Sequence, residues 1–119
     1  MQKHVFIVDD NDANLMMAAS ALEEEYRVFT MPSAEKMFVF LEKKPADLIL
    51  LDVEMPGMSG FEAIARLKET PEWKDIPVVF ITGWIDDKLR ADALKAGALD
   101  VISKPIIPSV LRDCVNNRI

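Results

Sequence analysis

Five short apolar runs alternate with five segments of helical spacing, and this alternation leaves few folds open. The runs are HVFIV (4–8), YRVFT (26–30), DLILL (47–51), PVVFIT (77–82) and DVIS (100–103). Between and after them lie DANLMMAASALEEE (12–25), SAEKMFVFLEKK (33–44), GFEAIARLKET (60–70), DDKLRADALKAG (86–97) and PSVLRDCVNNRI (108–119). Numbered in chain order, these are β1–β5 and α1–α5 of a (βα)5 chain. Strands that alternate with helices pair in parallel, because each parallel partner is reached by a crossover that lays a helix on a sheet face. A strand covered on both faces has no polar side, which is how LILL reads. The expected class is α/β, a doubly wound five-stranded parallel sheet in a single domain, 1–119. Asp12 and Ser33 are the expected N-caps of α1 and α2. Pro45 and Pro71 stand beyond helix ends, and Gly97 suits the left-handed turn after α4.

The bulk properties exclude several functions. A chain of 119 residues removes roughly two-thirds of its unfolded surface from water on folding, so it needs no staples. Its apolar runs are too short for a membrane span, and the start MQKH lacks the apolar stretch of a signal peptide. The single cysteine, Cys114, cannot form an internal disulfide, in keeping with a reducing cytoplasm. A net charge of −6 opposes direct binding to nucleic acid or to an anionic membrane. His4 is the only histidine, which argues against a histidine metal cluster or a Ser–His–Asp hydrolase.

The chemistry gathers at strand ends. Asp9 and Asp10 follow β1, Asp52 ends β3, Thr82 ends β4 and Lys104 follows β5. With strand order 2-1-3-4-5 the winding reverses between β1 and β3, and ligands collect beyond the carboxyl ends there. Three carboxylates at one mouth repel by about 4 kcal/mol per pair at 4 Å and an effective dielectric near 20. One must hold its proton, or a cation must sit among them. An oxygen-only set with room for water suits Mg2+. That leaves Asp52 free to attack a phosphoryl group, with Lys104 and the Thr82 hydroxyl opposite the equatorial oxygens.

In this order, at the ends of β1, β3, β4 and β5 and, for AGA, at the end of α4, VDD (8–10), D-x-x-M-P-G-M-S-G (52–60), Thr82, AGA (96–98) and SKP (103–105) are specific. Thr82 lies 30 residues after Asp52, and Lys104 lies 22 after Thr82. Over essentially its whole length the sequence resembles the receiver domain of bacterial two-component response regulators. The resemblance implies the flavodoxin-like fold with strand order 2-1-3-4-5. It makes Asp52 the phosphoacceptor, Asp10 a direct ligand of Mg2+ (with Mn2+ as an alternative), and Asp9 a partner of the ion through water. The Glu54 backbone carbonyl becomes a further ligand, Thr82 the switch hydroxyl and Lys104 the phosphoryl-binding ammonium. Lys104–Pro105 becomes a cis peptide. The implied donor is the phosphohistidine of a histidine kinase or histidine phosphotransfer domain. The implied output is a change in binding at the α4–β5–α5 face, to a downstream target or output domain or to a second copy in a phosphorylation-dependent homodimer. Such a protein is a cytoplasmic signalling switch with slow self-dephosphorylation, not an enzyme with a free substrate.

Three rivals stand beside that reading. A phosphohydrolase of the haloacid dehalogenase type wants D-x-D-x-[TV] after the first strand, whereas Asp52 is on the third and is followed by V-E-M. A docking module that is never phosphorylated would keep the fold. A flavodoxin-like cofactor site would need a Ser/Thr/Gly cradle, and the first loop, DDNDAN, is acidic. Two departures from the family pattern bear on output. Val101 stands where an aromatic is usual, and Trp84 follows Gly83 in the loop after Thr82, which makes it a candidate for interaction. The methionines of MPGMSG are expected to pack, not to ligate. An end at Ile119 fits a stand-alone regulator or a receiver cut from a hybrid kinase or a longer regulator.

Overall fold

The computed structural model describes residues 2–119. Its elements are β1 (His4–Val8), α1 (Asp12–Leu22), β2 (Arg27–Met31), α2 (Ala34–Leu41), β3 (Leu48–Asp52), α3 (Gly60–Glu69), β4 (Val78–Thr82), α4 (Asp87–Ala96), β5 (Asp100–Ser103) and α5 (Pro108–Arg118). The five strands form one sheet in the order β2-β1-β3-β4-β5, and every pairing is parallel. The doubly wound fold expected from the alternation is therefore present.

Side-chain alternation along the strands divides the core in two. Val5, Ile7, Leu48, Leu50, Val79 and Ile81 face one way and pack on Leu15, Ala18 and Leu22 of α1 and on Leu111 and Val115 of α5. Phe6, Val8, Ile49, Leu51, Val78 and Phe80 face the other way, against buried residues of α2, α3 and α4. Strands with a core on both sides bury every residue, as β3 and β4 do. At about 25 cal/mol per Å2 of apolar surface, this double burial is the main force holding the sheet.

The ends of the helices follow local chemistry, with one correction. Asn11, not Asp12, caps α1: its side chain accepts from the Asn14 N–H, and Asp12 becomes the first helical residue. Asp12 there still complements the positive end of the helix dipole. Ser33 caps α2 as expected, and Gly97 ends α4 at φ 107°. Strand β2 starts one residue later than YRVFT. Tyr26 instead turns inward, and its hydroxyl donates to the Asn116 side chain on α5. Met55 is buried and Met58 packs against the core, so both act as packing residues. No helix among the described residues is long and apolar enough to cross a membrane.

Candidate functional site

Backbone pairing sets the spacing of the polar groups at the carboxyl edge of the sheet. Val8 is in register with Leu51, and Asp52 with Ile81. The ladder runs on past the strand ends. The Asp9 N–H donates to the Met31 carbonyl at 3.1 Å, the Val53 N–H to Ile81 at 3.0 Å and the Lys104 N–H to Thr82 at 2.8 Å. Hydrogen-bonded main chain, not free loop, thus carries Asp9, Asp52, Thr82 and Lys104. The Lys104–Pro105 peptide is cis.

The loop after Asp52 is held just as closely. Gly60 opens α3 against the end of β3, where an added Cβ would lie 2.6 Å from the Asp52 carbonyl oxygen and 2.8 Å from Val53 Cα. Only glycine permits that approach. Ser59 and Glu62 close a capping box on the same helix start. Gly57 takes φ 78°, and the next N–H, that of Met58, donates to Glu35 Oε2 on α2 at 3.4 Å.

Asp9, Asp52 and Thr82 are the buried polar side chains among the described residues, and Asp10 is exposed beside them. One carboxylate oxygen from each of Asp9, Asp10 and Asp52 lies within 4.8 Å of the others. Lys104 Nζ is 3.1 Å from Asp9 Oδ2 and 3.3 Å from Asp52 Oδ1. Asp9 Oδ1 accepts from the Asn11 N–H at 2.9 Å, and Asp52 Oδ1 from the Glu54 N–H at 3.3 Å. Asp52 Oδ2 has no partner, and Asp9 Oδ2, although close to the ammonium, receives no well-directed hydrogen bond.

The electrostatics follow from that geometry. Burial, and then the charge of Asp9, push the Asp52 carboxyl up to about 6, against the partial relief that Lys104 and the Glu54 N–H provide. For Lys104, burial works against the charge. The close approach of the Asp9 and Asp52 carboxylates outweighs this and holds the ammonium above the usual lysine value. A buried anionic oxygen without a donor costs on the order of 1–3 kcal/mol or more. Asp52 Oδ2 is such an oxygen, and its place in a cluster of three carboxylates fits a hard divalent cation.

Of the residues singled out in the sequence for this site, Asp9, Asp10, Asp52 and Lys104 come together here, and Thr82 ends the strand beside Asp52. Sequence reasoning missed two contributors. Glu35 meets the 57–58 turn from 23 residues away, and no local pattern marks such a contact. Asp86 caps α4 and also accepts from the Trp84 indole. An acid just before a helical run was the signal for its capping role.

The sequence matches the response regulator receiver domain over residues 5–116. The chain belongs to that family. This receiver domain is 36% identical over 117 residues to the cyclic di-GMP phosphodiesterase response regulator RpfG of Xanthomonas campestris pv. campestris, with 96% of this chain and 31% of that protein covered. It is 33% identical over 115 residues to a probable cyclic di-GMP phosphodiesterase of Vibrio cholerae, with 97% of this chain and 26% of that protein covered. The receiver domain thus spans about a quarter to a third of the length of these relatives. The chemotaxis protein CheY4 of Vibrio cholerae has the same fold, with a TM-score of 0.94 at 24% identity and 100% of each chain covered. As a receiver domain, the chain is a signalling module of two-component response regulators.

Proposed function

We propose that residues 1–119 act as one receiver unit that takes a phosphoryl group onto Asp52 from the phosphohistidine of a histidine kinase or histidine phosphotransfer domain. The observation that carries this reading is Asp52 Oδ2, a buried carboxylate oxygen with no partner, on a side chain whose other oxygen lies 3.3 Å from the Lys104 ammonium. The ionised carboxylate attacks phosphorus, the P–N bond breaks, and its electron pair leaves on the imidazole nitrogen, which picks up a proton. No general base is required, because Asp52 is ionised above pH about 6. Lys104 balances charge on one equatorial oxygen, and the Thr82 hydroxyl is the donor for another.

Asp10, Asp52 and the Glu54 carbonyl would hold Mg2+ directly and Asp9 would do so through water, with Mn2+ as an alternative. The ion supplies neutralisation of negative charge as the phosphoryl group arrives. The protein is a switch with slow self-dephosphorylation and no free substrate, working in the cytoplasm. Its output surface is α4–β5–α5, where Ile107 and Val110 are exposed beside a groove of about 290 Å3 that also includes Val101 and Arg90. That surface would meet the downstream target or a second copy of the chain.

Intact mass after incubation with Mg2+ and acetyl phosphate tests the acceptor. One phosphoryl group, labile to hydroxylamine and absent from Asp52→Asn, is expected. Equal labelling of that variant would refute the assignment, and turnover of a generic phosphate ester would favour the hydrolase reading.

A further inference from the structure

The Thr82 hydroxyl is engaged in its own loop. It accepts from the Trp84 N–H at 3.3 Å and donates to the Trp84 carbonyl at 3.2 Å. Trp84 also reaches forward, its indole N–H donating to Asp86 Oδ2 at 3.2 Å. The other oxygen of Asp86 accepts from the Leu89 N–H at 2.7 Å and so caps α4. One continuous chain of contacts therefore runs from the buried Thr82 hydroxyl to the first turn of α4.

Both ends of that chain are poised to move. Ala93 is the only buried residue of α4, fewer than in any other helix, so burial restrains α4 least and its capping counts for more. Trp84 is 68% exposed. Its orientation is set less by burial than by a single bond to a carboxylate, and a charge-assisted bond is the stronger kind. Gly83 has neither a positive φ nor any atom within 4 Å of an added Cβ, so this loop arrangement does not require glycine. A glycine there gives the 83–86 segment access to a second arrangement.

We propose that Trp84 and Asp86 are positioning residues that hold the Thr82 hydroxyl in the resting loop and couple its release to the first turn of α4. This rests on Asp52 being the phosphoacceptor, since an added anionic oxygen there competes for the hydroxyl proton. When Thr82 turns toward that oxygen it leaves the Trp84 carbonyl, the loop swings about Gly83, and the indole is drawn off Asp86. The signal then reaches α4 along β4 and its loop, with no aromatic ring needed at Val101.

Titration with beryllofluoride and Mg2+, followed by backbone amide resonances, tests the coupling in the wild type, Trp84→Phe, Asp86→Asn and the double variant. Trp84→Phe keeps a ring and removes the donor. Asp86→Asn keeps an oxygen for the Leu89 N–H, so the cap survives, but turns its amide NH2 toward the indole N–H. In the wild type, Gly83 and Leu89 should shift with one midpoint. Each single variant should bind the mimic roughly two- to tenfold more tightly, the range that one net hydrogen bond supplies. The double variant should be no tighter than either single, as for two residues acting through one bond. A wild type that binds with Leu89 silent, or variants with unchanged or additive affinities, would overturn the coupling and leave the Asp52 reading intact. No response in the wild type would overturn both.

Discussion

Asp52 is ionised at neutral pH against the preference of its surroundings, and stability should record it. Its carboxyl rises from an ordinary 3.8 to about 6 in the folded state, chiefly through burial and the charge of Asp9. Below pH about 4 both folded and unfolded chains carry the proton, and the contribution to stability is whole. Between about 4 and 6 the folded chain binds more protons than the unfolded one, so stability falls as pH rises through the folded value. Asp52→Asn removes the buried charge. In metal-free buffer at pH 7 it should therefore be more stable by on the order of 2–3 kcal/mol, and its stability should vary less between pH 4 and 6. Urea denaturation at pH 4, 5, 6 and 7 checks this; equal pH profiles for the two proteins would contradict it. Asp9, Asp10, Asp52, Thr82 and Lys104 were legible in the sequence because each stands at the end of an apolar run. The partnerless Asp52 Oδ2 was not, since it depends on how Lys104 arrives from another strand.

At the scale of elements, the join between β3 and α3 is the most tightly built part of the site. A Cβ at Gly60 would strike Asp52 and Val53 main-chain atoms, which cannot swing aside as a side chain can. Gly60→Ala should cost about 1–3 kcal/mol by overpacking and should slow phosphorylation by moving Asp52. Gly83→Ala makes the contrast, because its Cβ meets nothing. It should leave stability unchanged or raised by about 0.4–1 kcal/mol through the unfolded chain. Thermal unfolding of the two variants side by side is the measurement, and equal losses would show that the close approach at Gly60 carries no special weight. Helix and strand identities were readable from period and caps. The Asn11 cap was not, because Asn11 and Asp12 are both good capping residues and the choice between them is set by where β1 releases the chain.

For the whole molecule, cation binding and folding are linked, since a site assembled from β1 and β3 does not exist in the unfolded chain. Mg2+ at one hundred times its dissociation constant should raise stability by about 2.7 kcal/mol. Asp10→Ala should lose more of that increment than Asp9→Ala, because Asp9 is already engaged with Lys104 at 3.1 Å whereas exposed Asp10 is free to bind the ion directly. Melting curves with and without Mg2+ read the difference, and equal losses would remove the assigned division of roles. By itself the sequence determined the order and kind of the ten elements and the edge of the sheet where the acids, the threonine and the lysine collect. Hydrophobic period, capping residues and turn glycines act over a few neighbouring residues, so a linear reading captures them. Only the tertiary structure decided which helices cover which face, which oxygen of Asp52 is left without a partner, how far its carboxyl is raised, and that Trp84 ties Thr82 to α4. Those properties depend on burial and on ångström-scale distances, many of them between segments far apart in the chain, which are set when the two cores pack against the sheet.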